Sequence, residues 1–299
     1  MKSQARAYSL ALAAVLLWSS IATAFKLSLR YLDIWQLLLV SSCSASACLF
    51  LIIAIQGKLN LLAKLGRTTL LRLLGFGLLN PFCYYLVLFK AYELLPAQVA
   101  QALNYTWAIT LMLLSIPILK HKVGKFDIIA TSVCYIGVVV ICFGGSQFPG
   151  GELSLMGIVL ALTSTLIWAL YWLFKARDDV DPVVGLFVSF CFSLPFVTGA
   201  CLFLSSMPTL SLQALLGGIY VGLFEMGITY VLWLLALQQT SSAAKISTLI
   251  FLSPIISLFI IHHVLEEAIA STTIIGLFLI ISGLFIQRKT PTDALQQAN

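Results

Sequence analysis

The chain is 299 residues long, 61% hydrophobic and only 9% charged, with a net charge of +6 and a mean hydropathy of +1.04. A soluble domain carries charge on about a quarter of its positions, so this chain cannot clothe itself in polar groups and most of its surface must face lipid. The positive charge does not signal nucleic acid, because the lysines and arginines fall between apolar segments rather than in a patch interleaved with aromatics.

The first apolar run follows MKSQAR and reads LALAAVLLW, and Ala22-Thr23-Ala24 resembles a signal-peptide cleavage site. The run continues past that point and more follow, so it reads as a first membrane helix. Ten apolar segments, at 7–29, 34–55, 71–93, 96–119, 127–144, 154–175, 183–205, 213–237, 241–264 and 270–287, fit the ~30 Å of hydrocarbon that a helix must cross. The seven cysteines all lie inside these runs without CxxC spacing, and read as small buried hydrophobes. After Lys289 the chain ends in a polar tail.

Orientation follows from the basic residues. With the N-terminus inside, 14 of the 17 lysines and arginines fall on the inner side, leaving only Lys26, Arg30 and Lys90 outside. Both termini are then cytoplasmic. The halves also echo each other: LLWSSIATAFK at 16–26 against LIWALYWLFK at 166–175, and GLLNPFCYY at 77–85 against GLFEMGITY at 222–230. Ala108 to Gly137 matches Pro254 to Gly283 in length. Five helices per copy is odd, so the second copy enters the membrane from the opposite side. The expected fold is an all-α polytopic membrane protein of ten transmembrane helices. They form two five-helix inverted-topology repeats, 1–145 and 152–289, with a cytoplasmic tail at 290–299.

In this register Asn80 stands against Glu225, both near the middle of their helices. An unpaired carboxylate there costs about 2.5–3.5 kcal/mol, so Glu225 should face an internal cavity or a partner. Gly218, Gly222, Glu225 and Thr229 recur at helical spacing as a small-and-polar stripe. Polar glue between helices is the competing reading of Glu225. Asn80-Pro81 reads as a helix break, because proline lacks an N–H and clashes with the carbonyl of Gly77. A packing kink is the alternative. HHVLEE at 262–267 lacks metalloprotease spacing and reads as a polar cap to the ninth helix. Lys26 and Lys90 sit where snorkelling explains them, and Trp168, Tyr171 and Trp172 read first as interfacial anchors. No P-loop, metal-ligand set or catalytic constellation is present, so neither an enzyme nor a bound cofactor is expected.

LLWSSIATAFK and LIWALYWLFK, the run SPIISLFIIHHVLEE, and the glycine-rich GLFLIISGLF resemble the drug/metabolite transporter superfamily with paired EamA-type domains. LNYTWAIT at 103–110 is similar to the Asn-Tyr-x-Trp stretch of the branch holding bacterial aromatic amino-acid exporters, with Ala108 where that branch has Pro. The resemblance implies an inner-membrane exporter of small metabolites, with Trp18, Asn80, Tyr84, Asn104, Tyr105, Trp107, Trp168, Glu225 and Pro254 around a midplane cavity. Asn104, Tyr105 and Trp107 rest on the Asn-Tyr-x-Trp match, whereas Glu225 rests on its mid-membrane position, which makes it the candidate proton-coupling or substrate-ammonium group. A lipid-carrier or lipophilic-compound flippase is the rival, and the small-residue run SSCSASAC at 41–48 could line its groove. The expected partners are a small-molecule substrate and the lipid bilayer, with monomer and homo-oligomer both open.

Overall fold

A computed structural model describes residues 4–119, 124–142, 152–208, 211–240, 246 and 249–287. The polar tail at 290–299, and with it Lys2, Lys120, Lys122, Lys245, Arg288 and Lys289, lies outside the described residues. Among the described residues the fold is helical and has no strand. Eight helices are long and apolar enough to cross a membrane: α1 Gln4–Ser28, α2 Ile34–Ile55, α3 Arg67–Leu94, α4 Ala97–Ile118, α5 Lys125–Cys142, α6 Leu155–Lys175, α7 Pro182–Leu204 and α8 Leu212–Gln239. Two shorter apolar helices follow, α9 Leu249–Leu265 and α10 Ser271–Ile286. The ninth segment, expected at 241–264, thus contributes a described helix only from Leu249 onward. Ile55, Phe203 and Phe278 are exposed at 84%, 88% and 69%, which suits side chains whose solvent is lipid rather than water.

Short polar residues start several of these helices by accepting the N–H groups that a first turn leaves without partners. Asp33 accepts from Trp35 and Gln36 in a capping box that opens α2, Ser154 opens α6, and Ser211 opens α8. Asp181 opens α7, with Pro182 in the first turn, and also pairs with Lys58 at 2.7 Å. Burial pushes the Asp181 carboxyl up, but Lys58 and the N–H groups of Val183 and Val184 outweigh it and hold the group below the usual carboxylate range. A carboxyl lowered on folding stabilises fully at neutral pH and loses its contribution as pH falls through the folded-state value. Asp181→Ala is therefore expected to cost about 1 kcal/mol. In unfolding measurements of the detergent-solubilised protein the deficit should hold from pH 8 to 5 and close below about pH 4. A deficit that closes already at pH 6 would contradict this.

The chain divides into two compact units, Met1–Lys90 with Asp178–Glu266, and Ala91–Arg177 with Glu267–Asn299. Each draws on both halves of the sequence. In the first unit α2 packs on α7 and α8, α3 packs on α7, and α1 packs on α8 and α9. Close approach at two glycines fixes two of these contacts. A Cβ on Gly77 would overlap the carbonyl oxygen of Ser189 on α7, and one on Gly222 would overlap that of Ser41 on α2. The small residues Ser41, Ser44 and Ala45 of α2 lie against Gly222, so part of the SSCSASAC run serves helix packing.

In the second unit α5 pairs with α10 along their lengths, and α4 packs on α6 and α10. The α5–α10 contact is reciprocal. A Cβ on Gly137 would meet the Gly276 carbonyl oxygen at 2.5 Å, and one on Gly283 would meet that of Ala130 at 2.7 Å. The start of α4 is held by Glu267, whose carboxylate accepts from the Ala97 N–H at 3.1 Å. Gln98 completes the tie, donating to the Ala268 carbonyl at 2.9 Å and accepting from the Ala270 N–H at 3.0 Å. The HHVLEE run therefore does two jobs. Glu266 ends α9 in a left-handed conformation, while Glu267 caps a different helix.

Candidate functional site

In the first unit, α3 and α8 each open into a π-helical turn in mid-course. In α3 the turn Leu78–Cys83 is π-helical, Asn80 is extended at φ −144° and ψ 115°, and the Asn80–Pro81 peptide is cis. Pro81 offers no N–H to the ladder. In α8 the turn Gly222–Gly227 is also π-helical, with no proline. There the widened turn leaves the Phe224 carbonyl to be capped by the Thr229 hydroxyl. Thr229 was expected in a stripe with Glu225; its polar group instead repairs the backbone of the break.

Glu225 sits inside the α8 break and keeps accessible surface. Its Oε1 accepts from the Tyr85 hydroxyl of α3 at 3.1 Å, so one side-chain bond joins the two broken helices. Tyr85 is fully buried and packs at 4.8 Å against Tyr84 and 5.5 Å against Phe89. Trp18 of α1 meets Tyr230 of α8 edge-on at 5.9 Å and Trp233 at 5.6 Å. Ser20 bonds Tyr220 at 2.7 Å. The carboxylate thus lies on a helix whose flanking turns carry rings. Asn80 is 1% exposed, and its Oδ1 has no hydrogen-bond partner among the described residues. A buried acceptor without a donor is uncommon.

Of the nine residues anticipated around a cavity, Trp18, Asn80, Tyr84, Glu225 and Pro254 belong to the first unit, and Asn104, Tyr105, Trp107 and Trp168 to the second. In the second unit Asn104 donates to Ser164 at 3.0 Å, and Thr110 bonds Thr165 at 2.9 Å, stitching α4 to α6. Tyr105 ends the first part of α4, and Trp107 begins the rest. Trp168 stacks on Tyr171 at 5.8 Å, and Tyr171 is buried rather than turned to lipid. Pro254 is buried just after the 3-10 turn Leu249–Phe251 that opens α9. Tyr85 was missed. Helical spacing says only that adjacent tyrosines diverge, and the fold decides which one meets Glu225. No group of three or more potential metal ligands occurs among the described residues.

Apolar helices, most of them long enough to cross a bilayer, define a polytopic membrane protein. Comparison with known proteins makes that specific. Residues 5–143 and 155–287 each match the EamA-like transporter family, and the chain belongs to it. An "Uncharacterized transporter" of Clostridium kluyveri is 31% identical over 61% of this chain and 61% of its own length, so the match spans less than two thirds of that relative. A "Probable amino-acid metabolite efflux pump" of Escherichia coli K12 is 22% identical over 72% of this chain and 75% of its own length. A crystal structure of a protein 17% identical aligns over 97% of this chain and 100% of that one, with a TM-score of 0.65, a likeness of fold.

Proposed function

We propose that this transporter exports a small ammonium-bearing metabolite, an amino acid or similar amphiphile, across the bacterial inner membrane by alternating access. Ten spans arranged as two inverted five-helix repeats, with both termini cytoplasmic, would present a midplane site to each side in turn. The reciprocal glycine contacts of α5 and α10 support that repeat, as do the breaks in α3 and α8, which lie within a residue of the same register. The observation that carries the functional reading is Glu225. A carboxylate in mid-membrane is costly, and this one sits in an opened helical turn on a phenol donor, with rings in the turns to either side. Such a group can take a substrate ammonium or a proton, and the competition between the two couples transport to pH.

The test is counterflow of labelled neutral amino acids into proteoliposomes from about pH 5.5 to 8, wild type beside Glu225→Gln. Saturable counterflow whose pH dependence flattens in the variant is expected. PH-dependent transport unchanged in the variant would make Glu225 polar glue. Absence of counterflow with any amino acid would rule out this substrate class.

A further inference from the structure

Where α8 carries its extra residue decides which way Glu225 faces. The first half of the helix is registered on α2: a Cβ on Gly218 would overlap Val40, and one on Gly222 would overlap the Ser41 carbonyl. The second half is registered on α1, with Tyr230 at 5.9 Å and Trp233 at 5.6 Å from Trp18. The π-turn Gly222–Gly227 takes up the residue by which the two registers differ. Those contacts alone would allow the widened turn anywhere between Gly222 and Tyr230, and Glu225 lies in that interval. Moving the turn from one side of a residue to the other turns that residue by one helical step, about 100°. A swing of that size takes the carboxylate off the Tyr85 hydroxyl, which donates to it at 3.1 Å.

One hydroxyl marks the place. Ser19, Ser28, Ser41, Ser44 and Ser46 donate to the carbonyl four residues back, and Ser164, Thr165 and Ser193 to the one three back, the spans an α-helix offers. Thr229 reaches five back, to Phe224. The backbone ladder explains the span. An α-helix would deliver the Ile228 N–H to the Phe224 carbonyl; here that N–H goes to Leu223, and the Thr229 hydroxyl takes its place. The side chain is fully buried, and a carbonyl left unserved inside a membrane is costly. Shifting the widened turn along α8 would return an N–H to Phe224 and leave a different carbonyl to be served.

We propose that Thr229 is a positioning residue for Glu225: its hydroxyl pins the widened turn of α8 at Gly222–Gly227 and so holds the carboxylate toward Tyr85. The proposal rests on the transport reading of Glu225 and adds to it a residue that acts through the backbone.

The test follows two readouts in wild type, Thr229→Val, Thr229→Ser and Tyr85→Phe. In the first, N,N′-dicyclohexylcarbodiimide, an apolar reagent for membrane-embedded carboxyls, is added to the detergent-solubilised protein at neutral pH, and its adduct at Glu225 is timed by mass spectrometry. In Thr229→Val the adduct should form at least about threefold faster than in wild type, as in Tyr85→Phe, because the Tyr85 hydroxyl no longer covers the carboxyl oxygen. Thr229→Ser should keep the wild-type rate. The second readout is counterflow of phenylalanine. It should fall about 5-fold in Thr229→Val, the worth of one hydrogen bond, and less than about twofold when the same change is made in Tyr85→Phe. Should Thr229→Val fail to fold, Thr229→Ala removes the same hydroxyl with less bulk and carries the same expectations. A labelling rate at or below that of wild type in the hydroxyl-free variant, an equal change in Thr229→Ser, or losses that simply add to those of Tyr85→Phe would overturn the positioning role. Absence of wild-type counterflow, for phenylalanine and every other neutral amino acid, would overturn the transport reading alone, and the labelling rates would still decide whether Thr229 sets the direction of Glu225.

Discussion

Gly137→Leu/Gly276→Leu is expected to yield little folded protein. At each of these positions a side chain would run into backbone: the Gly276 carbonyl at 2.5 Å on one side and the Gly137 carbonyl at 2.6 Å on the other. A flexible neighbour can rotate away, whereas a carbonyl moves only if the helices part. Overpacking typically costs 1–3 kcal/mol per site, so the pair costs about 2–6 kcal/mol if the sites add. The total stability of a typical domain is about 5–15 kcal/mol. Loss of the monodisperse peak in detergent size exclusion is the readout. Gly75→Leu is the control, because nothing lies within 4 Å of a Cβ there. A double variant that elutes and melts like the wild type would show that α5 and α10 need no such close approach.

Tyr85→Phe is expected to reduce counterflow about 10- to 100-fold while the protein stays folded. The substitution keeps the ring in its contacts with Tyr84 and Phe89 and removes only the hydroxyl that donates to Glu225. A hydrogen bond to a charged group is worth about 1.5–3 kcal/mol, which sets that range. The discriminating measurement is a double-mutant cycle. In a Glu225→Gln background, Tyr85→Phe should cost far less than it does alone. Losses that simply add would mean that Tyr85 acts through packing and not through the carboxylate.

The apolar runs were legible because lipid leaves no alternative to long hydrophobic helices, and the break at Asn80-Pro81 was legible because proline cannot donate. The break in α8 gave no such sign. Its glycines allow close approach to α2, and the π-turn arises where Gly222 settles on the Ser41 carbonyl, a contact no local pattern announces. The role of Glu267 was hidden for a similar reason. Its neighbours in sequence suggested the end of α9, but the N–H it satisfies belongs to Ala97, far away along the chain. Glu225 itself stood out from its place in the middle of an apolar run. What it touches did not, since the choice between Tyr84 and Tyr85 depends on the rotation of α3.

The reciprocal notch between α5 and α10 has an evolutionary consequence. In the proposed repeat register Gly137 corresponds to Gly283, and Ala130 to Gly276. In a symmetric pair of identical chains one codon would set both sides of such a contact, and every substitution would be felt twice. Joined in one chain, the two sides can drift apart. The two sides differ in residue type here: Ala130 presents its carbonyl to Gly283, whereas Gly276, at the matching position, must also leave room for the carbonyl of Gly137.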